Sequence, residues 1–208
     1  MIVFTVRLVL RSMRWVGPFL VLLIWVVLAI GAGGTGLEFA SVLFPAYVIV
    51  GTWLTIITGN VDDDAHRDLL AAAAGSASRL HVLRSTTVLV MTGTIALAVA
   101  VVVAVVAQPG RSTLTVLVVA ASVSISGLLI GIGIGTLLHR PLLRHRGLSL
   151  LLATGGCIVV MLLAPIQSVH RSLNNGDTNT TWLLFTAALA WAAASVLVAS
   201  QLTDRRSK

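Results

Sequence analysis

Long apolar runs alternate with short polar stretches along this chain of 208 residues. Each run approaches the roughly 20 apolar residues that a helix needs to cross a bilayer. The pattern predicts an all-α polytopic membrane protein with six transmembrane helices, at residues 16–33, 39–58, 86–107, 113–138, 148–166 and 181–202. The length allows one domain, so we expect residues 1–208 to form a single transmembrane domain.

An amphipathic segment precedes the first apolar run. Arg7, Arg11 and Arg14 are spaced by four and three residues, so they share one face of a helix, and apolar side chains cover much of the rest. We expect residues 2–15 to form an interfacial helix at the inner membrane surface, with Trp15 at the water boundary. The alternative is a plain basic flank of the first span.

One long polar stretch, residues 61–84, interrupts the apolar pattern and holds four of the seven acidic residues. Its leading aspartates can cap a helix, because unpaired N–H groups and the helix dipole favour acids there. Residues 65–74 are rich in the strong helix formers Ala and Leu, and Gly75 is placed to end the helix. Ser76 or Ser78 can cap a second helix that continues into the third span. The stretch predicts a short cytoplasmic helix presented to a partner protein.

Composition indicates the class of protein, and the distribution of charge indicates its orientation in the membrane. The chain is 57% hydrophobic and 10% charged, with a mean hydropathy of +1.02, whereas a soluble domain carries about 25% charged residues. The net charge of +7 does not indicate nucleic-acid binding, because the basic residues fall in loops between apolar runs. With the N-terminus inside, all but Arg111 and Arg171 of the 14 Lys and Arg residues are cytoplasmic. We therefore expect both termini and residues 61–84 in the cytoplasm.

The sequence lacks the residues that catalysis or ion coupling would need inside a membrane. No acidic, basic or histidine residue lies in the middle of a predicted span, and all five histidines are assigned to loops. The only lysine is Lys208, which excludes a phosphate-binding P-loop. The single cysteine, Cys157, is expected to be a packing residue. We expect a non-catalytic chain that binds no cofactor or metal of its own.

Glycines recur in the second half of the fourth span. Gly127, Gly131 and Gly135 follow one another at the GxxxG spacing, which lets helix backbones approach closely. We expect packing within the subunit, and the alternative is a bend at a substrate path.

Together these features resemble the small six-span permeases of ATP-binding-cassette exporters, the ABC-2 type. The segment DDAHRDLLAAAAGS followed by RLHVLR is similar to the coupling region of small actinobacterial-type permeases, and the length resembles the related haem-export permeases. The more familiar glutamate-led motif with a Thr-x-Glu-x-Leu run is absent from this sequence. The family plan makes residues 2–15 the interfacial helix, residues 62–74 the coupling helix and residues 169–175 an external re-entrant element.

The resemblance implies an exporter subunit of the bacterial inner membrane. Two permease subunits, as a homodimer or heterodimer, would enclose the path, and a separate ABC ATPase that binds ATP and Mg would drive it. Leu69 and Leu70 would anchor in an apolar groove of the ATPase, and Arg67, Asp68 and Asp64 would set the register through charge-assisted hydrogen bonds. For each residue the alternative is an ordinary solvated helix face.

The sequence leaves alternatives open for both the cargo and the functional class of the protein. Spans rich in Val, Leu, Ala and Ile favour a lipophilic or amphipathic cargo. An accessory or structural membrane protein would have the same topology but would not need a docking helix at residues 61–84. A stand-alone carrier would transport its cargo without any effect of ATP.

Overall fold

The computed structural model describes residues 7, 11–31, 36–60, 64–106, 113–138, 155–156 and 178–206, and every regular element there is an α-helix. The helices are α1 (Val16–Gly31), α2 (Gly36–Gly59), α3 (Asp64–Ala74), α4 (Ala77–Val106), α5 (Thr113–Leu138) and α6 (Thr178–Arg206). The all-helical class predicted from the sequence is confirmed for this part of the chain.

Four helices, α2, α4, α5 and α6, are long and apolar enough to cross a membrane, and α1 is a shorter apolar helix. Five of the six predicted spans overlap α1, α2, α4, α5 and α6. The span predicted at 148–166 falls outside the described residues, except that Gly155 and Gly156 are helical. The re-entrant element predicted at 169–175 also lies outside them.

Helices α2 and α5 form the centre of the bundle. In α2, 78% of the apolar window is buried inside the protein, and in α5 the share is 72%, against 33% for α4 and 22% for α6. One core cluster joins buried side chains of α1, α2, α4 and α5. The central pair is therefore shielded on most sides, while the other helices lie around it.

The contact between α2 and α5 depends on glycine. A Cβ atom on Gly127 would lie 3.0 Å from the Phe44 carbonyl oxygen, and one on Gly135 would lie 2.6 Å from Thr55 Cβ. Between them, a Cβ on Gly131 would overlap the carbonyl oxygen of Val48. The GxxxG glycines thus bring two backbones together within one subunit, as the sequence predicts. Along the contact, Gly127, Gly131 and Gly135 of α5 meet successively later residues of α2 (Phe44, Val48 and Thr55). The two helices therefore run in the same direction.

Helix α6 packs on another face of α5. Leu129 clusters with Ala188 and Ala192, and a Cβ on Gly133 would meet the Trp191 indole and lie 3.1 Å from Ser195 Oγ. The later residue of α5, Gly133, meets later residues of α6 than Leu129 does, so α6 is parallel to α5. Consequently the end of α5 and the start of α6 lie at opposite ends of the bundle, as expected if the span predicted at residues 148–166 joins them.

The outer faces of α1, α4 and α6 are strongly apolar. Each carries large hydrophobic side chains that are about half exposed or more, such as Leu23, Val101 and Leu183. A soluble domain would bury such a surface, since contiguous exposed apolar patches are rare outside interfaces and membranes. These faces are consistent with contact with lipid.

The segment before α1 differs from its prediction. Arg7 and Arg11 are helical, but residues 12–15 form a turn in which Met13 has a φ of 54°. Pro18, in the first turn of α1, explains the break: its ring has no N–H and would clash with the carbonyl of Arg14 in a continuous helix. The predicted range 2–15 therefore extends beyond a structural break, and Arg14 lies after that break. The remaining residues of that range lie outside the described part.

Candidate functional site

Helix α3 is the short helix that the sequence predicts between the second and third spans. It covers Asp64–Ala74, close to the predicted residues 65–74. Among the described helices it contacts only α4. Its packing contacts are thus made with one neighbour, at the edge of the bundle rather than within the core.

The two predicted anchor leucines differ in burial. Leu69 is 69% exposed, and Leu70 is partly buried. The backbones of Asp64, Arg67 and Asp68 lie in the first turns of α3, whereas their side chains lie outside the described part of the structure. The structure therefore places all five predicted docking residues on one short helix and presents Leu69 outward.

Gly75 ends α3 in the way the sequence predicts. Its φ is +85°, the left-handed conformation that glycine adopts without steric cost. The Gly75 N–H donates to the Ala72 carbonyl at 3.1 Å, which satisfies one of the last carbonyls of α3. The helical conformation of α3 therefore ends at this residue.

Ser76 starts α4 immediately afterwards. Its Oγ accepts a hydrogen bond from the Arg79 N–H at 3.1 Å, and its carbonyl accepts from the Leu80 N–H at 3.2 Å. These are the bonds of a helix N-cap. Of the two predicted capping residues, Ser76 therefore holds this position, and the Ser78 hydroxyl lies 3.1 Å from the Ser76 hydroxyl.

Helix α4 begins nine residues before the predicted span start at residue 86. Its first turns are embedded in the protein: Leu80, His81, Arg84 and Ser85 are all buried. The assignment of His81 to a loop was wrong, because the Ser76 cap starts the helix well before the apolar run. The polar residues at this end of α4 therefore anchor it in the bundle instead of forming a solvated loop.

The α2–α5 contact includes a polar residue that the sequence analysis missed. Thr52 Oγ lies 2.8 Å from the Val48 carbonyl of its own helix and 3.0 Å from the Gly131 carbonyl of α5. The sequence signal that could have indicated this contact is the pair Gly51 and Thr55, two small residues four positions apart on α2. A Cβ on Gly51 would lie 2.9 Å from the Leu128 carbonyl oxygen, so this face of α2 matches the glycine face of α5.

The described residues contain no group of three His, Cys, Asp or Glu side chains that could hold a metal ion. They form a short peripheral helix, α3, which a hydrogen-bonded turn at Gly75 and Ser76 connects to α4, a helix that packs in the bundle. No protein-family model, curated protein or solved structure matches the chain.

Proposed function

We propose that this chain is the membrane-spanning permease subunit of an ATP-binding-cassette exporter of the ABC-2 type. The observation that carries the proposal is helix α3, which exposes Leu69 and contacts only α4 among the described helices. A short helix with an outward apolar side chain is a common element for docking a partner protein. The partner in this proposal is a separate ABC ATPase, which binds ATP and Mg.

The chemistry of the long helices supports an energy source on another chain. Helix α5 contains no charged residue, and the charged residues of α4 lie in its first turns. Ion-coupled carriers generally hold ionisable side chains within the membrane. A subunit moved by an external ATPase does not need them.

In the proposed mechanism two permease subunits, identical or different, enclose the path between them. ATP binding draws the ATPase subunits together, and α3 passes this movement to the bundle. The largely apolar helices favour a lipophilic or amphipathic cargo. Export takes place across the bacterial inner membrane, with both termini and α3 on the cytoplasmic side.

Replacing Leu69 with Asp tests the docking role of α3. Because Leu69 is mostly exposed, the variant should insert and fold normally, while co-purification of the ATPase from native membranes falls by about tenfold, as for a lost interface anchor. The double variant Arg67→Ala with Asp68→Ala should also weaken association. The matched control is Leu114→Asp, an equally exposed leucine in the first turn of α5. Equal ATPase recovery with the Leu69 and Leu114 variants would refute the docking role.

A further inference from the structure

The junction between α3 and α4 is more ordered than a flexible loop of two residues. Gly75 closes α3 with its N–H on the Ala72 carbonyl, and Ser76 opens α4 by accepting the Arg79 N–H. Each residue belongs to the end of one helix, so no unstructured residue remains between the two caps. Hydrogen bonds thus close the end of one helix and the start of the next at two consecutive residues.

The two sides of the joint have different surroundings. On one side, α3 contacts only α4 among the described helices. On the other, one face of the first turns of α4 is buried, and α4 contacts α2, α5 and α6. The packing contacts of α3 with the described bundle are therefore all made with α4, while the chain itself also connects α3 back to α2.

We infer that Gly75 and Ser76 are positioning residues that lock α3 to α4, and that α4 is the helix through which movement of α3 enters the bundle. The inference deepens the proposed function, on which its coupling role rests. Ser76 acts through its cap and touches neither cargo nor nucleotide. A loosened joint would let α3 follow the ATPase while α4 stays in place.

The first test measures the joint itself, in the full chain in lipid nanodiscs. Spin labels are attached at Ala72→Cys and Val90→Cys, both exposed positions, with the native cysteine removed by Cys157→Ala. We expect a single narrow distance distribution, and Ser76→Ala should broaden it about twofold because the cap is lost. Ser76→Asn, which keeps an acceptor oxygen, should restore the narrow distribution. Thr86→Ala is the control and should stay narrow, because Thr86 is exposed on α4 and its hydroxyl donates to the Val82 carbonyl of the same helix, away from the joint.

The second test measures coupling in the complex with the co-purified ATPase. Labels at Leu23→Cys on α1 and Val90→Cys on α4 report the movement of α4 when ATP, Mg and vanadate are added. The wild-type distance should shift. In Ser76→Ala the ATPase should still co-purify, but the shift should fall below about half of the wild-type value, since α3 no longer carries α4 rigidly. Ser76→Asn should recover the shift, which separates this role from a general loss of stability.

Three outcomes overturn the inference. A distribution as narrow in Ser76→Ala as in the wild type would mean that the cap does not lock the joint. A full nucleotide-dependent shift in Ser76→Ala would mean that α4 is moved by another route. If no ATPase accompanies even the wild-type chain, the proposed function fails and the coupling role fails with it, whereas the label distances still decide whether the joint is rigid.

Discussion

At the scale of single residues, Thr52 shows how a hydroxyl group can serve two helices. Its Oγ is within hydrogen-bond distance of carbonyl oxygens on both α2 and α5. In an apolar environment a carbonyl that loses its donor finds no water to replace it. Measured hydrogen bonds between membrane helices are nevertheless modest, about 0.6 kcal/mol on average, because the unfolded chain also finds partners.

Replacing Thr52 with Val should therefore destabilise the protein by about 0.5–1.5 kcal/mol, since the shape is kept and the hydroxyl is lost. Thermal unfolding of the purified chain in detergent measures the change. Thr52→Ser keeps the hydroxyl and should unfold closer to the wild-type temperature. If Val and Ser variants unfolded at the same temperature, the contact with Gly131 would contribute nothing.

At the scale of elements, the packing of α2 against α5 depends on the absence of side chains at the glycine face. An added methyl group at Gly131 meets the backbone of α2, which cannot move aside as a flexible side chain would. By contrast, a Cβ on Gly93 of α4 would meet no atom within 4 Å. The same substitution at these two glycines should give opposite results.

We expect Gly131→Ala to lower the unfolding temperature markedly, because overpacking typically costs about 1–3 kcal/mol. Gly93→Ala should leave it unchanged or raise it slightly, since alanine is the better helix former. Size-exclusion chromatography and thermal unfolding in detergent compare the two variants. Similar stability of both would contradict the close approach of α2 and α5.

The elements show which features a sequence can predict. Residues 113–138, the end of α3 at Gly75 and the Ser76 cap all follow the sequence prediction, because each depends on local chemistry. The burial of His81 in the first turns of α4 was missed, since the apolar run begins after this residue. The match between Thr52 and Gly131 joins residues 79 positions apart, and no local pattern contains that information.

At the scale of the whole molecule, the distribution of basic residues predicts which end of the bundle faces the cytoplasm. A cysteine at the exposed Ala73 of α3 should then be reached by a membrane-impermeant maleimide only after the cells are permeabilised. A cysteine at the exposed Leu114 should be labelled in intact cells. Both are placed in a Cys157→Ala background. Labelling of Ala73→Cys in intact cells would reverse the orientation.

In the proposed function, this chain moves cargo only together with a separate ATPase. Purification of the tagged wild-type chain from its native membrane in mild detergent, with identification of the proteins that accompany it, tests the claim most directly. If the proposed function is correct, a stoichiometric ATPase that carries a P-loop should accompany the chain. Repeated recovery of this chain alone, across several detergents, would contradict it and would favour an accessory protein or a stand-alone carrier.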